Sequence, residues 1–178
     1  MQRTLVIFKP DSVMRGIVGE VLTRFERAGL TIIGMKMLQP NYDKLHNHYE
    51  SIGTLKTRKG DEIFESQLKS MMLGPVIAMV LEGVEAVDFV RKMVGSTEPK
   101  SAQPGTIRGD YAHVNYAQPA TVGMGVPNLV HASATESEAE QEIALWFDEP
   151  ELCRYDTVHN RFTQPKPVDE SLVEQPKK

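Results

Sequence analysis

The sequence predicts an α+β chain built as a split βαβ sandwich, and three observations carry that prediction. Apolar, β-branched runs at residues 4–8 (TLVIF), 30–38 (LTIIGMKML) and 75–81 (PVIAMVL) read as buried strands. Between them, apolar residues recur at helical rather than strand spacing. A fourth short run, residues 128–133 (NLVHAS), precedes an acidic helical pattern. Strand, helix, strand, helices, strand, helix, long loop, strand, helix is the order of two βαβ halves.

Each element has its own local reason. The first strand stops at Pro10, which cannot donate to a sheet ladder. Val18, Val21, Leu22 and Phe25 fall at i, i+3, i+4 and i+7, one helix face, and Gly29 supplies the stop. The second strand ends at Pro40. Residues 43–52 and 61–72 have helical spacing, with a polar break, TLKTRKG, between them. After the third strand, Val84, Val87, Val90 and Val94 form another helical stripe, closed by Gly95. Residues 96–128 lose all periodicity and hold many Pro and Gly, and a loop that long in a compact domain signals function or disorder. Thr135 and Ser137 each fit S/T-x-x-E, the start of a last helix that runs to Trp146-Phe147. The final residues, rich in Pro, Lys and Glu, read as an extended tail.

Composition narrows the function. With 178 residues, 40% hydrophobic and 25% charged, the chain suits one globular domain. A net charge of −4 argues against a general nucleic-acid binder. The lone Cys153 can form neither an internal disulfide nor a thiolate metal site. No run approaches the roughly 20 apolar residues of a membrane span, and the N-terminal run is too short for a signal segment. A cytoplasmic enzyme or binding protein is expected.

Lys9, Arg91, Thr97 and Arg108 sit where strands and helices end. One lysine, two arginines and a hydroxyl suit a polyphosphate, Arg giving forked donors and Lys a point charge. Gly105 and Gly109 flank Arg108 and would let backbone approach a ligand. Neither G-x-x-x-x-G-K-[ST] nor a strand-borne G-x-G-x-x-G occurs, so the common phosphate loops are excluded. His131 ends a strand among small residues, Ala132, Ser133 and Ala134, that would admit a phosphate. Glu142 lies about two turns into the next helix, on a face that could look back at the strand. A carboxylate holding one ring N–H would leave the other nitrogen free to attack. The histidines at 46, 48, 113 and 159 show no metal-ligand spacing.

Taken together, FKPDSVMRGIVGEVLTRFERAGL, HY, GPVIAMVLEG, VRKMVGSTEP, PGTIRGD, NLVHAS and EIALWF occur in the order found in nucleoside diphosphate kinases, which the chain resembles over residues 3–151. The resemblance implies a ferredoxin-like, four-stranded antiparallel sheet with helices packed on one side. It implies one domain over residues 1–162 with an extended loop at about 111–127, and a Pro-rich tail at 163–178 with no family counterpart. It implies transfer of the γ-phosphate of a nucleoside triphosphate, usually ATP, to a nucleoside diphosphate, ping-pong, through a phosphohistidine on His131.

By motif position, Lys9, Arg91, Thr97 and Arg108 resemble the phosphate-binding set and Asn128 the ribose contact. Tyr49 resembles the tyrosine that supports the lysine, and Ser133 and Glu142 the pair that orients His131. Mg2+ would ride on the nucleotide phosphates, with no ligand directly from protein. A homo-oligomer is implied: hexamer, tetramer or dimer. Two departures stand out. Ala132 replaces the usual glycine after the histidine, which matters if that position needs φ > 0. Ile63 falls where the family stacks the base on an aromatic. The alternative reading is a catalytically weakened nucleotide-binding scaffold of the same fold. A single-strand nucleic-acid binder fits poorly, because the strands carry almost no aromatics beyond Phe8.

Overall fold

The computed structural model describes residues 1–163, so the tail expected over 163–178 falls, beyond Thr163, outside the described residues. Four strands, β1 (Gln2–Phe8), β2 (Thr31–Leu38), β3 (Val76–Gly83) and β4 (Val130–Ala132), form one sheet in the order β2-β3-β1-β4. Every neighbouring pair is antiparallel. The helices are α1 (Pro10–Met14), α2 (Val18–Arg27), α3 (Tyr42–His46), α4 (Leu55–Lys59) and α5 (Asp61–Met71). They continue as α6 (Ala86–Val94), α7 (Ile107–Tyr111), α8 (Ala117–Ala120), α9 (Glu136–Trp146) and α10 (Asn160–Thr163).

The run TLVIF is apolar from Leu5 to Phe8, and Thr4 is buried with it, because β1 is central and both of its faces are covered. Val6 and Phe8 pack with Val21 and Phe25 of α2 and with Ala86, Val90 and Val94 of α6. Leu5 and Ile7 pack on the opposite face with Leu45, Phe64, Leu68, Ile143 and Trp146. Helices therefore lie on both sides of the sheet, not on one. The two crossover helices take the first face, and α3, α5 and α9 take the second. Each large side chain buried this way contributes about 1.5–3 kcal/mol.

Local chemistry explains where the elements depart from the expected pattern. The polar break at TLKTRKG contains α4, whose first amides, Lys56 N–H and Thr57 N–H, donate to the Glu50 carboxylate at 2.6 and 3.2 Å. The cap comes from the preceding element, so no N-cap signature marks it. Residues 47–52 form a π-helical turn (Asn47–Ile52) that buries two consecutive side chains, His48 and Tyr49. Val84 is 53% exposed and precedes α6, whose buried stripe is Ala86, Val87, Val90 and Val94. Residues 96–128 are not structureless: the Thr106 hydroxyl caps α7 through Gly109 N–H at 3.1 Å, and Asn115 Oδ1 accepts from Gln118 N–H in α8 at 3.1 Å. Short capped turns of this kind need no periodic apolar face, which is why periodicity misses them. Of the two candidate caps for α9, Thr135 is used, its hydroxyl accepting from Glu138 N–H at 3.1 Å.

Candidate active site

The last strand is shorter than residues 128–133 because Leu129 adopts φ +72°. A buried leucine in the left-handed region is strained, and such strain persists only where its surroundings fix it. Here they do. Leu129 N–H donates to Asp11 Oδ2 at 3.0 Å, and its carbonyl accepts from Lys9 N–H at 2.9 Å and the Ser12 hydroxyl at 2.6 Å. This kink delivers the chain into β4, two residues before His131.

In β4 the side chains alternate. Val130 and Ala132 pair with Phe8 and Val6 and join the α2/α6 face. His131 pairs with Ile7 and turns to the other face, toward Tyr49, His48 and α9. Two expectations change. The Ala132 methyl packs on the far side of the sheet from the imidazole, so it makes no room for a phosphate. Its φ is not positive, and it is an ordinary strand residue. Replacing Ala132 with Gly should therefore cost about 0.5–1 kcal/mol in a denaturant melt and leave turnover unchanged.

His131 keeps a side chain 19% exposed, while its partner Glu142 is 2% exposed. Glu142 occupies the buried stripe of α9, Ala139-Glu142-Ile143-Trp146, at i, i+3, i+4 and i+7. Its Oε1 lies 2.8 Å from His131 Nε2, and its Oε2 accepts from the Ser133 hydroxyl at 2.6 Å. The same hydroxyl accepts from Leu5 N–H at 3.1 Å, tying the pair to β1. Burial pushes the Glu142 carboxyl up. The attraction and hydrogen bond of His131, the neighbouring His48 and the Ser133 hydroxyl outweigh it and hold the pKa at about 2. An ionised carboxylate only accepts, so Nε2 carries a proton, and in the neutral ring the lone pair is then on Nδ1.

Two of the cationic groups, Lys9 and Arg108, bond to the residues that flank the same kink. Lys9 follows β1 and is 8% exposed, and its Nζ donates to Asn128 Oδ1 at 2.6 Å. Burial, then Arg108, lower its pKa to about 8 against the opposing pull of Asp11, which leaves it charged at neutral pH. Asn128 Nδ2 donates in turn to the Thr97 carbonyl at 2.8 Å. Arg108 is 8% exposed and donates to the carbonyls of Asn128, Gly95 and Val130 at 3.0, 2.9 and 2.7 Å. Burial lowers its pKa to about 10, and Arg91 on α6 is near enough to push the same way. Thr97 and Arg91 are exposed. Gly109 allows a close approach, but of its own loop rather than a ligand, since a Cβ there would collide with the Gln103 carbonyl.

Tyr49 is not hydrogen-bonded to Lys9 among the described residues. Its hydroxyl accepts from Gln67 Nε2 at 3.0 Å, and its ring stands edge-on to His131 with centroids 6.3 Å apart. Ile63 lies one turn before Gln67 on α5, 49% exposed, with Phe64 buried beside it. The extended loop closes a cavity of about 160 Å³ beside Lys9, walled by Pro119, Met124, Gly125 and Val126. A larger open groove of about 1000 Å³ along Arg3, Glu85 and Phe147 holds none of the expected site residues.

Sequence reasoning missed His48. It is buried, its ring centroid 4.4 Å from that of His131, and its ligand atoms lie within 4.8 Å of those of His131 and Glu142. The one sequence signal was a histidine placed directly before a buried tyrosine in HY.

Known proteins carry the same architecture. The family model for nucleoside diphosphate kinase matches residues 2–152. The nucleoside diphosphate kinase of Pyrococcus furiosus is 44% identical over 155 residues, 87% of this chain and 88% of that protein. That of Borreliella burgdorferi is 41% identical over 155 residues, 87% of this chain and 92% of that protein. A solved transition-state mimic of nucleoside-diphosphate kinase from Borrelia burgdorferi, with bound vanadate and ADP, superimposes with a TM-score of 0.87 at 39% identity, covering 92% of this chain and 96% of that one. A halophilic nucleoside diphosphate kinase from Halobacterium salinarum in complex with CDP gives 0.76 at 36% identity, over 91% and 97%. A chain matched over this span, in sequence and in fold, belongs to the nucleoside diphosphate kinase family.

Proposed function

We propose that this chain moves the γ-phosphate of a nucleoside triphosphate to a nucleoside diphosphate in two steps, with His131 Nδ1 as the carrier. The observation that carries the reading is the Nε2–Glu142 bond of 2.8 Å, which puts the neutral ring's lone pair on Nδ1 while the side chain stays 19% exposed. In the first step the Nδ1 lone pair forms the N–P bond as the bond from Pγ to the bridging oxygen breaks. The nucleoside diphosphate leaves, and no proton need be removed from the nucleophile. The imidazole then bears positive charge, which the Glu142 carboxylate compensates. The second step reverses the first with a different diphosphate. Both bonds exchanged are energetic, so neither half-reaction is a trap, and what remains is positioning and charge stabilisation.

Lys9, Arg91 and Arg108 supply positive charge for the phosphates, with the Thr97 hydroxyl beside them, Asn128 for the ribose and Ile63 packing on the base. Tyr49 acts as a wall for the His131 ring. Mg2+ would be carried by the nucleotide phosphates and would supply further charge neutralisation there. Both Glu142 oxygens are already engaged, by His131 and Ser133, which supports a metal held by the nucleotide rather than by that carboxylate. The exposed apolar residues Met35 and Met37 on β2 support a homo-oligomer. A cytoplasmic setting fits the lone free cysteine, and no described helix is long and apolar enough to cross a membrane.

The test is a double displacement. Protein incubated with γ-labelled ATP and Mg2+, then desalted, should carry acid-labile label that a second nucleoside diphosphate removes as triphosphate. Nucleotide binding without label would favour the weakened scaffold, and acid-stable label would overturn the histidine carrier.

A further inference from the structure

His48 is the buried titratable group that this reaction leaves unused. It lies in the π-helical turn, with its side chain fully buried. Its Nδ1 accepts from Trp146 Nε1–H at 3.2 Å. The same Nδ1 lies 3.7 Å from Glu142 Oε1, the oxygen that holds His131. Its Nε2 has no hydrogen-bond partner among the described residues. Buried polar groups are almost always satisfied, so an orphaned ring N–H requires a reason.

The reason lies in the two tautomers. An indole N–H is a donor only, so the Trp146 bond requires a lone pair on His48 Nδ1 and places the proton on Nε2. The other tautomer would put a proton on Nδ1, facing the Glu142 carboxylate. It would aim the His48 proton at an acceptor, but it would make a second imidazole compete for the oxygen that orients the nucleophile. Burial, reinforced by His131, drives the His48 pKa down to about 3, so the ring does not resolve the conflict by becoming charged. Trp146 sits one helical turn after Glu142 on the same stripe of α9, so one helix supplies both the carboxylate and the group that keeps His48 off it.

We infer that Trp146 is a positioning residue for the nucleophile: its indole N–H holds His48 in the tautomer that cannot donate to Glu142, and so reserves the carboxylate for His131. The inference rests on His131 being the phosphoryl carrier. It assigns His48 a passive part, as a ring standing edge-on to His131 at an interplanar angle of 78°.

Trp146→Phe removes the N–H and keeps an aromatic ring. The expected result is a His48 proton on Nδ1, read by 15N chemical shifts, and phosphorylation of His131 slowed about tenfold with nucleotide KM unchanged. In the His48→Phe/Trp146→Phe double variant the competitor is gone while an aromatic ring stays beside His131. Its phosphorylation rate should return to within about threefold of wild type, a coupling that loss of packing alone would not produce. The inference is overturned if Trp146→Phe leaves the His48 tautomer unchanged, or if the double variant is as slow as the single one. Should the wild-type chain take up no label from ATP, it is the reading of His131 that fails, and the 15N shifts of His48 still decide the tautomer.

Discussion

The His131→Ala chain is expected to take up no acid-labile phosphate and to lose on the order of 10⁴-fold or more in nucleotide exchange, while ADP still binds within about threefold of wild type. The groups read as phosphate and ribose contacts, Lys9, Arg108 and Asn128, are fixed by one another and by backbone carbonyls, not by the imidazole. Removing the ring therefore leaves the cradle standing. Glu142 keeps its bond from Ser133 but loses its bond from Nε2. A buried carboxylate that loses one hydrogen bond costs about 1–3 kcal/mol, so the thermal midpoint should fall with the activity. Calorimetric ADP titration and a label-incorporation assay separate the two effects. Wild-type labelling in the variant would sink the assignment of the nucleophile.

Much of this site was legible in the sequence, for reasons that differ residue by residue. His131 showed itself as an imidazole at the end of an apolar run, and Glu142 as a carboxylate in a helical stripe otherwise made of Ala, Ile and Trp. Both signals are local: a strand end and a helix period. The small residues after His131 were misleading, since strand alternation sends Ala132 to the far face and Ser133 is consumed by Glu142. The strand order was beyond reach, because it depends on which edges close over which helices. So were the two pairs that finish the site. Lys9 meets Asn128 across 119 residues of chain, and Trp146 meets His48 across 98. The positive φ of Leu129 was equally hidden. It is imposed by Asp11, Lys9 and Ser12 from the other end of the sequence, against leucine's own preference.

Glu142→Gln should fold and should slow phosphoryl transfer about 10- to 100-fold. The amide oxygen can still accept from Nε2–H. The amide N–H₂ can donate to the Ser133 oxygen if that hydroxyl turns to the Leu5 carbonyl, already 3.4 Å away. Geometry is thus retained and charge is lost, so the cost falls on the step in which the imidazole becomes positive. Rapid-quench measurement of label uptake should show it there, with nucleotide affinity unchanged. The same substitution should alter acid stability. In the folded chain the Glu142 pKa is depressed from its ordinary 4.5 to about 2. A depressed carboxylate stabilises the fold fully above the unfolded value and loses that contribution as pH falls through the folded value. For a group this buried the loss is about 3 kcal/mol between roughly pH 4.5 and pH 2. Urea midpoints measured across that window should fall more steeply for wild type than for Glu142→Gln, whose amide does not titrate. Parallel curves would mean that the His131–Glu142 pair holds no such charge in the folded chain, and the compensation assigned to the phosphorylated imidazole would fail with it.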